Sequence, residues 1–296
     1  MALYLASLPS GTPENHGAAT VFRGAVSASK AFHCSNGTLA GMEVEMFHTN
    51  PFTPVTDVIP ALVMQVYIVL MILAVAIGTL FDTWHKGSAE FFARWRKKAR
   101  AAAQRRLSGR ETASLVVDTI AEAATSGEFG KGRRRTSHLL MMYGFLLHVI
   151  ATAVMVFAHP TAARTPVILP LLWDLGALMI LAGGLWFFFF LRVNVAYDGD
   201  SPFRLCRADL FVGSLLASAA FALAWHFMQT VSDNPTAALV FFTLYVFFTT
   251  LLFVSVPWSK FAHMFYKPAV AFQRKVEEAS GASDLPRPAA DHHGRR

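Results

Sequence analysis

The chain has 296 residues, of which 54% are hydrophobic and only 15% charged, and it carries a formal net charge of +7. A soluble domain is about 25% charged, so this composition excludes an ordinary globular enzyme. The positive charge is sorted along the chain rather than spread over it, which excludes a nucleic-acid-binding protein.

A membrane-spanning helix needs about 20 mostly apolar residues. Five stretches qualify: Val58–Phe81, His138–Ala158, Pro166–Leu191, Leu210–Val231 and Pro235–Trp258. The first and last carry no charge, and the third carries one carboxylate, Asp174. The fold class expected is all-α, an integral membrane bundle of five helices.

Residues 1–57 are rich in Gly, Ser, Thr and Pro and read as an irregular external segment. Residues 1–20 lack a charged stretch followed by an apolar core, so this segment is expected to cross with the first helix. The 82–137 segment holds thirteen of the Lys and Arg residues, the 192–209 loop three, and the tail after Trp258 seven. Only Arg23, Lys30 and Arg164 lie on the opposite side. Cytoplasmic loops collect positive charge. The N-terminus is therefore expected outside and the C-terminus in the cytoplasm, in a multi-pass protein of the inner membrane.

Within 82–137, Ser88–Arg106 has helical composition, with Phe91, Phe92 and Trp95 among basic residues. That pattern suits a helix at the bilayer surface beside anionic lipid, or a docking face for a soluble partner. A second helix is expected over Glu111–Ala124, before the Gly-containing stretch Thr125–Gly132. Spans two to five are joined by short loops and form a bundle over 138–263, leaving 264–296 as a cytoplasmic tail. Cys34 and Cys206 fall on opposite sides and lie in no CxxC or CxxCH, which excludes a cysteine-ligated cluster or c-type haem within the chain.

Eleven histidines are present. His16, His33, His48, His85, His292 and His293 lie outside the spans. His138, His148, His226 and His263 stand at or near membrane depth, with His159 at the outer end of the second span. A single intramembrane histidine often does no more than bond a neighbouring helix. Four in one small bundle point to haem iron, which takes axial imidazoles from facing helices. His138 and His263 share a level at the cytoplasmic side and can clamp one haem. His148 is ten residues beyond His138, about 15 Å deeper. His226 also lies in the outer half, and these two can hold a second haem. Neutral imidazoles with no carboxylate among them suit haem better than zinc or a hard cation.

Two elements, His138-Leu-Leu-Met-Met-Tyr-Gly-Phe-Leu-Leu-His148 and Pro257-Trp-Ser-Lys-Phe-Ala-His263, make the stretch 133–275 resemble the gamma subunit of respiratory nitrate reductase. The stretch is more similar still to relatives in sulfur metabolism: the membrane subunit of the quinone-interacting oxidoreductase complex and the membrane anchor associated with adenylylsulfate reductase. The external segment, the long basic loop and the lack of a ferredoxin-like segment favour the anchor. The resemblance implies a cytochrome b that passes electrons between a quinone pool and a cytoplasmic flavin and iron–sulfur enzyme of the adenylylsulfate reductase kind. It implies that His138 and His263 ligate an inner haem b and His148 an outer one. Where the nitrate reductase subunit carries a further histidine, eighteen residues before the last, this chain has Tyr245. Three possibilities stay open: His226 replaces the missing ligand, Tyr245 ligates, or the outer haem is absent. Asp174, His159 and Arg164 are candidates to handle quinone protons at the outer side. A haem-free anchor that only tethers a soluble oxidoreductase is the rival reading.

Overall fold

The computed structural model describes residues 49–85, 87–127, 132–160, 165–192, 209–232, 234–256 and 263–283. They are all-helical: α1 (Ala61–His85), α2 (Ser88–Ala102), α3 (Gly109–Thr125), α4 (Gly132–Ala158), α5 (Ile168–Trp186, continued by the π-helical turn Phe187–Leu191), α6 (Leu210–Val231), α7 (Pro235–Val254) and α8 (His263–Ser280). Helices α1, α4, α5 with its π turn, α6 and α7 are each long and apolar enough to cross a membrane. They match the five expected spans within a few residues at most ends. The second starts earlier, because Arg133–Arg135 already belong to α4.

Their outer faces are lipid-like. Leu62, Val66, Leu70, Ile72 and Ile77 of α1 are exposed, and only Met64, Gly78 and Asp82 of that helix are buried. In lipid, apolar side chains gain little by meeting each other, so association relies on close packing and interhelical hydrogen bonds. The structure shows both. Helices α4 and α5 form one tight pair, α6 and α7 another, and α5 joins the pairs through α6. Helix α1 is held by polar side chains: the Tyr67 hydroxyl lies 2.9 Å from Thr250 Oγ1 on α7, and Gln65 donates to the Val156 carbonyl on α4 at 3.2 Å.

The α4–α5 contact depends on small residues spaced by seven: Ser137, Gly144 and Ala151 on α4, and Gly176 and Gly183 on α5, all buried. A Cβ on Gly144 would stand 2.7 Å from the Gly176 carbonyl oxygen, and one on Gly176 would stand 2.7 Å from the Gly144 oxygen and the His148 nitrogen. Backbone meets backbone here, and Ser137 Oγ adds a hydrogen bond to the Gly183 carbonyl at 2.8 Å.

The bundle has two ends. At the hairpin end, α4 turns into α5 and α6 into α7. Asn234 caps α7 there, its Oδ1 accepting from the Ala237 N–H at 3.1 Å, with Pro235 in the first turn where no N–H is needed. At the basic end lie α2, α3 and α8. The expected helix over Glu111–Ala124 is present as α3 and starts two residues earlier, because Ser108 and Glu111 form a capping box. Helix α2 has no buried residue. Helix α8 packs on α3, with Lys275 Nζ 2.7 Å from Glu122 Oε2, and its Tyr266 hydroxyl reaches Asp82 and Thr83 of α1 at 2.9 and 2.7 Å.

The described end of the N-terminal segment, 49–57, packs against the bundle. Asn50, Pro51, Phe52 and Val55 are buried, and Pro54–Asp57 form a 3-10 turn. Asn50 ties this plug to the α4–α5 connection by donating to the His159 carbonyl at 3.1 Å and to Thr165 Oγ1 at 3.2 Å. Phe52 seats its ring edge-on to Trp173 and Trp225.

Candidate functional site

Trp173 is the hub of the hairpin half. It is fully buried on α5, and rings from every neighbour meet it: His148 of α4 is stacked at 4.7 Å, His226 of α6 is edge-on at 5.7 Å, and Tyr245 of α7 is edge-on at 6.2 Å. Trp225 and Phe52 complete the cluster at 6.0 and 5.9 Å. The indole is fixed in turn, because its Nε1–H donates to Thr152 Oγ1 at 2.8 Å and that hydroxyl donates to the His148 carbonyl at 2.7 Å.

The structure thus gathers His148, His226, Tyr245 and Asp174, residues from four spans, around one aromatic core. Their states differ. His148 is 6% exposed, its Nδ1 lies 3.0 Å from the Trp173 carbonyl oxygen, and its Nε2 is buried with no hydrogen-bond partner. With Nδ1–H donated to the carbonyl, Nε2 keeps the lone pair that a metal would take. A metal-bound imidazole almost always pins its other nitrogen in this way. Tyr245 stands across from it, ring centroids 6.1 Å apart, with Thr152 and Thr249 beside its hydroxyl.

His226 has partners at both nitrogens. Its Nδ1 is 3.0 Å from Asp174 Oδ1, and its Nε2 is 3.4 Å from Thr49 Oγ1. An iron at His226 would have to displace Thr49. The expectation that no carboxylate accompanies the imidazoles is corrected here: Asp174 and His226 are 2% and 1% exposed and touch across the α5–α6 seam. They are 52 residues apart, so only the fold could pair them. The second oxygen of Asp174, Oδ2, is buried without a partner.

The inner candidates lie at the basic end. His138, half-buried, has its Nδ1 2.8 Å from Ser126 Oγ, just past α3. His263 opens α8, and its side chain lies outside the described residues. His159 sits half-buried after α4, with its carbonyl taken by Asn50. Arg164, Cys34 and Cys206 lie outside the described residues. No group of three or more His, Cys, Asp or Glu side chains placed to hold a metal ion occurs among the described residues.

Sequence reasoning missed Trp173 and Thr49. Trp173 carried a signal, since it stands beside Asp174, the one carboxylate of its span. Thr49 carried none. Compared with protein families, with curated proteins and with solved structures, the chain shows no match.

Proposed function

We propose that the chain is a membrane b-type cytochrome subunit that carries electrons between a quinone pool and a soluble redox enzyme docked at its basic end. The single observation that carries this reading is the buried His148 imidazole, pinned at Nδ1 and unpartnered at Nε2. A polar nitrogen at membrane depth is costly to leave unpaired, and metal ligation accounts for it. The excess of Lys and Arg at the basic end orients that end to the cytoplasm of the inner membrane, with the hairpin end outside.

His138 and His263 are assigned to one haem b at the basic end, and His148 to a second at the hairpin end. His138 fits this role in that Ser126 fixes its Nδ1. For the hairpin-end site the second ligand is Tyr245 or His226. When bound, haem iron supplies reversible one-electron storage. The residues of this chain do the rest. Trp173 orients His148 and, with Phe52 and Trp225, keeps water from it. Asp174 and His226 hold a proton beside the same core, with His159 and Arg164 nearer the outer surface, where the quinone binds. The exposed Arg133, Arg134 and Arg135 and the basic face of α2 suit a flavin and iron–sulfur enzyme of the adenylylsulfate reductase kind, in sulfur metabolism.

One observation favours the haem-free anchor instead. The space between His148 and His226 is filled by Trp173, itself 0% exposed. A reduced-minus-oxidised spectrum with haem extraction, on protein from haem-sufficient cells, separates the two. We expect at least about one haem b per chain, lost from the basic end in His263→Ala and from the hairpin end in His148→Ala. Haem-free protein overturns the reading.

A further inference from the structure

Helix α3 presents three different sides. On its packed side Thr119 is buried, Leu115 is half-buried, and Glu122 Oε2 lies 2.7 Å from Lys275 Nζ of α8. A second side is exposed and apolar. Ala113, Val116, Val117 and Ile120 recur there at i, i+3, i+4 and i+7, with Val117 64% and Ile120 63% exposed. The third side, with Ser114 and Asp118, is exposed and polar. An exposed apolar stripe beside an exposed polar one suits a helix at the boundary between acyl chains and water.

The C-terminal end of α3 fixes its level. The last carbonyls of a helix need donors from elsewhere, and α4 supplies two. The Tyr143 hydroxyl donates to the Ala124 carbonyl at 3.0 Å, and Arg135 Nε donates to the Thr125 carbonyl at 2.7 Å. Tyr143 stands on a helix long and apolar enough to cross the membrane. It lies five residues beyond His138, about 7.5 Å deeper. Long side chains on a helix lean toward its N-terminus, which for α4 is the basic end. The hydroxyl therefore reaches back to headgroup level, where tyrosines collect. Tyr143 is itself 43% exposed, and Leu146 and Ile150 continue the exposed face of α4 beyond it at 43% and 58%. Arg110 in the first turn of α3, and Arg133, Arg134 and Arg135 in that of α4, are exposed and carry the charge that lipid phosphates attract.

We propose that α3 is an interfacial helix seated in the leaflet at the basic end, with Val116, Val117 and Ile120 among the acyl chains and Asp118 in water. The occupant of the stripe is phospholipid. The stripe carries no charge and complements hydrocarbon, and the arginines complement the headgroups. A water-borne partner could cover the stripe only if α3 stood clear of the bilayer, and the Tyr143 and Arg135 contacts hold it against the span. The placement is independent of the cytochrome reading.

Nitroxide labels test it, on the full chain in vesicles of phosphatidylcholine and phosphatidylglycerol with no other protein present. In a chain with Cys34→Ser and Cys206→Ser, single labels are attached in Val117→Cys, Ile120→Cys and Asp118→Cys, with Leu146→Cys as the lipid-facing reference. Oxygen concentrates among acyl chains, and a nickel chelate stays in water. The ratio of oxygen to nickel collisions is expected to be about ten-fold higher at Val117 and Ile120 than at Asp118, and close to that at Leu146. The two stripe positions are exposed and independent, so each checks the other if one label disturbs folding. Equal ratios at all three α3 positions place the stripe in water and overturn the proposal. Exclusion of both reagents at Val117 and Ile120 shows the stripe covered by protein, a second copy of the chain in this sample, and overturns it as well.

Discussion

The hairpin half and the basic end use the same kinds of polar bond in opposite surroundings. Around Trp173, Asp174, His148 and His226 are each 6% exposed or less, and every partner comes from another span or the plug. At the basic end, Arg105 meets Glu111 with 53% and 42% of their side chains exposed. Water competes for the second set and not for the first, so exposed pairs are worth about 0–1 kcal/mol, whereas a broken buried one leaves an orphan. The comparison teaches where a functional residue can be read from burial. A polar group retained inside a lipid-facing bundle needs a reason, and an exposed pair at the basic end, unlike the buried Asp82 there, does not.

The contrast is broken most directly at the hub. Trp173→Ala removes a fully buried indole that touches His148, His226, Tyr245, Trp225 and Phe52, and is expected to cost about 3–5 kcal/mol. Thermal unfolding in lipid nanodiscs reads this against Phe190→Ala, whose ring is 75% exposed. Equal melting points for the two variants contradict a hub.

A smaller effect is expected at the backbone contact that sets His148 beside Trp173. Gly176→Ala places a methyl 2.7 Å from the Gly144 oxygen and the His148 nitrogen, for a loss of about 1–3 kcal/mol. Gly213→Ala on α6, where a Cβ meets nothing within 4 Å, is expected to gain helix stability, by about 0.5–1 kcal/mol. If the two behave alike, close approach does not hold α4 to α5.

The smallest effect sits at the basic end. The Ser108 N–H, with Arg105 beside it, holds the Glu111 carboxyl well below its usual range, at about 2. A depressed carboxylate contributes stability that is full above its unfolded value and lost as pH falls through the folded one. The first-turn amides of α3 should therefore keep their protection above about pH 4.5 and lose it progressively toward about pH 2. Hydrogen exchange at low pH measures this, and Glu111→Gln should flatten the profile. A loss that starts well above pH 5 would assign the cap to another group.

Much of the fold was legible because the lipid solvent imposes a simple rule. Twenty apolar residues in a row have one stable way to satisfy their backbone, so α1, α5, α6 and α7 could be bounded within a few residues. Helix starts were read less well where the signal was a cap. The Ser108-Gly-Arg-Glu111 pattern was there, and it moves α3 two residues toward the N-terminus. The plug at 49–57 was not legible, since its burial depends on Trp173 and Trp225, far away in sequence.

The histidines divide along the same line. Sequence by itself placed His138, His148, His226 and His263 by depth, because a helix rises by a fixed step and the spans fix the zero. It also sorted the charges to one end, because Lys and Arg accumulate there whatever the packing. It could not say which way each imidazole faces or what it touches, since that depends on the rotation of one helix against another. The Gly144–Gly176 contact sets that rotation for α4 and α5, and so puts Trp173 against His148. The α5–α6 seam sets it for Asp174, giving His226 a carboxylate on one nitrogen and Thr49 on the other.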